Sequence, residues 1–352
     1  MTKSSVYSGK VMLAPMVRLG TLPLRLLALE HGADVVYTEE MIDRKIIGSE
    51  RVVNGSSISI KSPSFIPSSS FVDRHNTIDY YKNGKVIFRT SPMERNRLIL
   101  QLGTADPQLA LQAALTVHQD VSGIDVNCGC PKHFSIHGGM GAALLKTPDL
   151  LVQILETLVQ GCPGIPITCK IRIFKDRQAT LDLVDRLSRT GVQAIAVHCR
   201  TPSQRPREPG DQSVFRDIVD HIGHRVAVIA NGDIMSHEHA VQVMQETGVD
   251  ACMIARAAQN NVTVFRKDGA RLTSDEMVRV YIRKAMELDN DISNTKYCVQ
   301  CMWKRLGEAG MAFSKCKSYR ELCEVFGMME EYEQVYREGA GVFDETVYDG
   351  GR

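Results

Sequence analysis

GIDVNCGCPKHFSIHGGMGAALL, residues 123–145, is the stretch on which the fold turns. It opens as an apolar strand over 123–126 and breaks at Asn127. It then passes through Cys128, Gly129, Cys130, Pro131 and Lys132 and bends at Gly138-Gly139-Met140-Gly141, ahead of a helical run from Ala142. A strand ending in a polar loop before a helix is the repeating unit of α/β enzymes, which place their chemistry at strand C-termini. The glycine-rich bend lacks both the GKS/T and the GxGxxG arrangements, so it reads as a site-shaping loop and not as a nucleotide loop.

The same unit recurs in both directions. Apolar strands are expected over 10–14, 33–38, 97–102, 123–127, 167–173, 193–198, 226–230 and 250–255. Helical spacing separates them over 21–31, 40–49, 107–119, 148–160, 178–189, 212–222 and 236–247, with Thr21 as an N-cap. Eight βα repeats with uninterrupted apolar strands argue for a closed (β/α)8 TIM barrel and against an open sheet. One stretch departs from the rhythm: about 54–85, Ser-rich and then polar, reads as a long, largely irregular surface insertion. A short strand over 86–89 re-enters the fold after it. Beyond Gly269 the strand pattern stops, and helices over 273–288, 295–308 and 318–327 form a smaller all-helical domain. The organisation read from the sequence is therefore a barrel over 1–268, a helical domain over 269–340 and an acidic tail over 341–352.

Composition sets limits on this picture. The 352 residues are 43% hydrophobic and 24% charged, ordinary globular values. No apolar run approaches the ~20 residues that cross a bilayer, so no membrane is expected. The N-terminal MTKSSVYSGK has no apolar signal core, and cysteines such as Cys169, Cys199 and Cys252 sit in apolar contexts. Both features suggest reduced thiols and a cytoplasmic location, with a nuclear one open. The net charge of +1 hides an asymmetry. Nine Lys/Arg face four Asp/Glu between 279 and 320, a net of +5, while nine acids face Arg337 alone between 321 and 349, a net of −8.

Polar residues stand where the strands finish: Gln101, Asn127, Lys170, His198, Asn231 and Arg256. A lysine inside ITCKIRI is costly unless it has a partner. Ala255-Arg256 suits a phosphate, with backbone amides and one guanidinium, and the amides of Asn231-Gly232-Asp233 can approach the same group. Together they suggest a phosphorylated planar cofactor with Lys170 near its electron-rich edge. Of the two cysteines at the loop, Cys128 follows the strand and reads as a small packed hydrophobe. Cys130 is then the candidate proton donor, since a thiol with pKa near ~8.5 is protonated at neutral pH. Cys298-x-x-Cys301, Cys316 and Cys323 only loosely match a zinc spacing, so they read as helix-core thiols and no metal is assigned.

Six short motifs occur in order: Ala14-Pro15-Met16, Asn127-x-Gly129-Cys130-Pro131, Lys170-Ile171-Arg172, His198-x-Arg200, Asn231-Gly232-Asp233 and Ala255-Arg256. On them the chain, over about 10–335, resembles the tRNA-dihydrouridine synthase family, flavin-dependent barrels with a C-terminal helical domain. Pro15-Met16-Val17-Arg18 and Asn294-Thr295-Lys296-Tyr297-Cys298 look most like the eukaryotic subfamily acting at uridine 20 of the D-loop. The resemblance implies an oxidoreductase that reduces the uridine C5=C6 bond, with FMN re-reduced by NADPH or NADH and with Cys130 as general acid. It implies FMN contacts from Pro15, Met16, Val17, Gln101, Lys170, His198, Asn231, Gly232, Asp233, Ala255 and Arg256, and a place beside the uracil for Asn127 and Arg172. tRNA would be the partner, with no obligate protein partner. Its phosphates would meet Arg279, Arg283, Lys284, Lys304, Arg305, Lys315 and Lys317, and also Lys132. The insertion is longer than the family pattern leads one to expect, and no double-stranded-RNA-binding domain follows in this sequence. Two other readings stay open: an FMN barrel acting on a free pyrimidine, like a dihydroorotate or dihydropyrimidine dehydrogenase, and a non-catalytic RNA-binding barrel.

Overall fold

In chain order the strands are β1 (Lys10–Leu13), β2 (Val35–Tyr37), β3 (Met41–Ile42), β4 (Glu50–Val53), β5 (Ile78–Lys82), β6 (Lys85–Thr90), β7 (Leu98–Gly103), β8 (Gly123–Cys128), β9 (Ile167–Arg172), β10 (Ala194–His198), β11 (Ala227–Asn231) and β12 (Ala251–Ile254). The computed structural model describes residues 5–54, 76–205, 207–303 and 309–337. Strands β1, β2 and β7–β12 form a ring of eight parallel strands, closed by β2 against β7 and by β1 against β12. This is the expected TIM barrel. β3 adds a two-residue edge to β7.

Pleating sorts every strand into two faces. The inward parity fills the barrel with Met12, Tyr37, Ile99, Ala194, Ala196, Ala227, Ile229, Ala251 and Met253, and Tyr7 is buried with them. Alanines on β10–β12 leave the volume that the two methionines and two tyrosines occupy, as close packing requires. The outward parity, including Val11, Leu13, Val36, Leu100, Val126, Ile195 and Val228, packs under the helices.

Two expectations need correction. The 40–49 segment is not one helix: it holds β3, a single turn at Asp43–Ile46 and β4. The described part of the insertion is not irregular either. β4, β5 and β6 form an antiparallel three-stranded sheet outside the barrel, and the strand expected over 86–89 belongs to it. The β5–β6 hairpin turns at Asn83-Gly84, with φ of 52° and 71°, the two-residue turn that matches strand twist. That Asn-Gly signal was present in the sequence, between runs rich in tyrosine and β-branched residues. Residues 55–75 of the insertion and the acidic tail lie outside the described residues.

A buried ion pair ties this sheet to the barrel. Arg25 donates to Glu94 through Nε at 2.8 Å and Nη2 at 2.6 Å, and through Nη2 to the Arg89 carbonyl at 2.8 Å. Beyond the barrel come helices Ser274–Glu287, Ile292–Met302, Ala309–Lys315, Tyr319–Phe326 and Met329–Arg337. The first begins with a reciprocal capping box between Thr273 and Glu276. Thr21 stands at the N-cap of helix Leu22–Glu30 as expected, with its hydroxyl directed to Asn294 at 3.3 Å and not to the helix amides. No described helix is long and apolar enough to cross a membrane.

Candidate active site

Gln101, Asn127, Lys170, His198 and Asn231 share the inward parity of their strands, so the pleat raises them together at one mouth of the barrel, while Arg256 opens the short helix just past β12. Register aligns Asn127 with Lys170, and His198 with both Arg172 and Asn231. Beneath them lies Asp125, fully buried. It accepts from Gln101 Nε2 at 2.8 Å and from Thr168 Oγ1 at 2.7 Å. Burial pushes its carboxyl up to about 6, against the pull of those two bonds and of Lys170. The chain of bonds continues upward. Asn127 Nδ2 donates to Gln101 Oε1 at 3.2 Å, and Asn127 Oδ1 accepts the amides of Gly129 and Cys130 at 3.0 Å each.

The cysteine loop is thus held from below by Asn127. Arg172 holds it from the side, donating through Nε to the Gly129 carbonyl at 2.8 Å and through Nη1 to the Thr201 carbonyl at 3.0 Å. Gly141 closes it with φ of 59°; a Cβ there would lie 2.3 Å from Ser135 Oγ and 2.7 Å from the Cys130 carbonyl. Asn127 and Arg172, expected beside the substrate, each carry this scaffolding. The two thiols part as the sequence suggested. Cys128 is fully buried with Sγ 3.4 Å from the Val126 carbonyl, while Cys130 is half-buried. Burial, followed by the Glu40 charge, pushes the Cys130 thiol up to about 11.

Across the mouth, an open cleft is lined by Arg172, His198, Arg200, Gly232, Met253 and Arg256 among others. Burial lowers Lys170 to about 8, with Arg172 adding to it. Among the described residues its ammonium has no hydrogen-bond partner. Burial, then Lys170, Arg172, Arg200 and Arg256, push His198 down to about 2, so the ring is neutral. Arg200 Nη1 stands 3.3 Å from His198 Nε2; since a guanidinium only donates, the network assigns the ring proton to Nδ1.

Asp233, with φ of 55°, accepts from Arg200 Nη2 at 2.6 Å, from the Gly210 amide at 2.9 Å and from Arg256. Burial raises its carboxyl, but the Arg200 and Gly210 bonds and the charges of Arg200 and Arg256 outweigh it and leave it below the usual carboxylate range. Asp233 therefore acts on the cleft through the two arginines it holds. Gly232 has φ of 116°, and a Cβ would meet Cys199 Sγ at 2.5 Å and His198 Cδ2 at 3.0 Å. Asn231 Nδ2 donates to the Met253 carbonyl at 3.1 Å. Ala255 precedes the short helix Arg256–Asn260 without a side-chain cap, leaving its first amides facing the cleft end of β12. Half-buried Pro15 and Met16 and exposed Val17 follow β1 at the same end.

The two motifs near Arg18 and Asn294 meet in space. Arg18, with φ of 65°, donates its amide to Glu39 Oε2 at 2.7 Å, and its carbonyl accepts from Asn294 Nδ2 at 2.7 Å. Its guanidinium lies 5.4 Å from the Tyr297 ring centroid, within cation–π range. The basic set is partly neutralised: Arg283 pairs with Glu287, and Lys284 with Glu30 and Glu287. Arg279, Lys315, Lys317 and Lys132 are exposed, and Lys304 and Arg305 lie outside the described residues. The four helical cysteines do not converge. Cys316 points to the Ala312 carbonyl and Cys323 to Met286, and among the described residues no three His, Cys, Asp or Glu side chains could hold a metal.

Reasoning from the sequence left Asp125, Arg200, Glu40 and Ser135 out of the site. Inward parity would have found Asp125, whereas Arg200 lies two residues past the end of β10. Glu40 and Ser135 meet across 95 positions and leave no local signal. A neutral histidine donor and three guanidinia lining one cleft, with Lys170 near the end of β9 at the same mouth, fit a planar anionic group carrying a phosphate.

The dihydrouridine synthase family model matches residues 71–346. A Schizosaccharomyces pombe protein named tRNA-dihydrouridine(20) synthase, with NAD(P)+ in its name, is 44% identical over 94% of this chain, which spans 65% of that relative's length. A Saccharomyces cerevisiae protein of the same name is 40% identical over 97% of this chain and 88% of its own. A human protein named as like tRNA-dihydrouridine(20a/20b) synthase is 30% identical over 74% of this chain and 72% of its own.

Proposed function

The chain belongs to the dihydrouridine synthase family, and on that premise we propose that it reduces the C5=C6 bond of a D-loop uridine in tRNA, at position 20, to 5,6-dihydrouridine. The observation that carries the reading is the half-buried Cys130 thiol above the end of β8, with Lys170 near the end of β9 and a cleft lined by His198, Arg172, Arg200 and Arg256 at the same barrel mouth. In this reading the hydride for uracil C6 would come from bound FMN, kept reduced by NADPH or NADH. Lys170, His198 Nδ1–H, Asn231, Gly232, Arg200, Arg256 and the amides after Ala255 would hold it, with Pro15, Met16, Val17 and Gln101 along its edge. Asp233 serves by orienting Arg200 and Arg256.

Cys130 then delivers its proton to C5. A thiol pushed up to about 11 remains protonated at neutral pH, as a donor must. Asn127 and Arg172 fix the backbone on both sides of that sulfur, which sets its distance to the base. A uridine stacked in folded tRNA has to be turned out into the mouth to be reached. The exposed Lys132, Arg279, Lys315 and Lys317 supply phosphate contacts, and binding is expected to weaken steeply with salt. The similarity to relatives named for position 20 and the junction of Arg18 with Asn294 and Tyr297 support that site over others.

The test is mass-spectrometric mapping of dihydrouridine in unmodified tRNA treated with the purified protein and NADPH. The expected result is a yellow protein that modifies position 20, ignores free uridine, and loses most turnover in Cys130→Ala but not in Cys128→Ala. A colourless protein that cannot be reconstituted, or the reverse order of the two cysteine variants, would overturn the reading.

A further inference from the structure

Glu40 has no role in the reading above, yet it is the acidic side chain that meets the cysteine loop. It follows β2, and its Oε1 accepts from Ser135 Oγ at 2.8 Å. The end of β7 packs against the carboxyl, where a Cβ on Gly103 would lie 2.7 Å from Oε1. Oε2 is buried and has no hydrogen-bond partner. A buried, unpartnered carboxylate oxygen is costly and calls for a donor. The donor beside it is the Cys130 thiol: a single point, the Cβ position of Gly141, lies 2.3 Å from Ser135 Oγ and 3.1 Å from Cys130 Cβ.

The charges around the sulfur explain what such a group is for. Lys170 and Arg172, both on β9, interact electrostatically with Cys130, and the Lys132 amide also favours the thiolate. A thiolate has no proton to give. Burial does most to keep the Cys130 thiol protonated, and Glu40 is the charge that adds to it. The Glu40 carboxyl is itself raised by burial and drawn back by the Ser135 hydroxyl and the neighbouring Cys130 thiol.

We propose that Glu40 is a positioning residue for Cys130: held by Ser135, it offers Oε2 to the sulfur and keeps it a proton donor against Lys170 and Arg172. This rests on Cys130 being the general acid, so its test includes a readout that needs neither tRNA nor turnover. In the purified full chain, iodoacetamide labelling of Cys130 is followed peptide by peptide across pH. In Glu40→Gln the profile should move to lower pH, with labelling at neutral pH about tenfold faster for each unit moved. Glu40→Asp, which retains the charge one methylene further back, should move the profile in the same direction but less. A purely structural role would leave the profile in place. Superimposed profiles in a folded Glu40→Gln protein would overturn the proposal, and so would an unmoved Glu40→Asp profile should Glu40→Gln not fold. The alkaline limb of dihydrouridine formation should shift with the labelling. Protein that forms no dihydrouridine at all would refute the proposed function while the labelling still decides Glu40.

Discussion

Replacing Asn127 by alanine tests the way the site is built. One side-chain oxygen accepts two backbone amides, Gly129 and Cys130, at 3.0 Å, and the same amide group donates to Gln101 at 3.2 Å. Asn127 is 6% exposed, so its loss leaves these donors largely without water. A buried donor left unsatisfied costs about 1–3 kcal/mol, and the half-buried Cys130 amide can recover part of that, so a total of about 2–4 kcal/mol is expected. The loop will relax before it pays all of this. A shift of about 1 Å at a reacting group costs on the order of 100-fold in turnover. Asn127→Ala should therefore melt earlier, label faster at Cys130 in the absence of tRNA, and form dihydrouridine about 100-fold more slowly. Asn127→Asp retains the accepting oxygen but turns a donor into an acceptor facing Gln101 Oε1, and should fall between. An Asn127→Ala protein with wild-type melting and wild-type Cys130 labelling would refute the scaffold, even if it bound tRNA poorly.

Gly232→Ala should purify folded but with much less flavin, because its Cβ would sit 2.5 Å from Cys199 Sγ at a φ of 116°; unchanged visible absorbance per protein would contradict this. Glu94→Ala leaves the Arg25 guanidinium buried and unpaired and should cost about 3–5 kcal/mol in denaturant unfolding, whereas a loss under about 1 kcal/mol would show the pair to be dispensable. His198, held near 2 when folded and near ~6.5 when unfolded, gives the unfolded chain an extra proton below that pH. Stability should then fall by up to about 1.4 kcal/mol per pH unit on acidification. Asp125, held up to about 6, works in the opposite sense between about 4 and 6, because there the native chain holds the extra proton. His198→Gln should thus lose less stability than wild type between about pH 6.5 and pH 5.5, and identical melting shifts would exclude the effect.

The barrel is legible in the chain before any coordinates are known. Uninterrupted apolar strands and amphipathic helices are written in side-chain period, which each segment carries whatever its neighbours do. The same local reading located Cys130, Lys170 and His198 at strand ends, and inward parity, a property of period two, could have added Asp125 to them. The Asn83-Gly84 hairpin was equally legible, since two residues with positive φ are a local steric demand. It took the folded molecule to show that Asn127 and Arg172 hold the cysteine loop, that Asp233 acts through two arginines, and that Arg18 meets Asn294 across 276 positions. It alone set Glu40 and Ser135 against the sulfur. Such contacts depend on which strands close the ring and where the loops above it turn, and those are settled by packing among residues far apart in the chain, with no trace in the periodicity of any one of them.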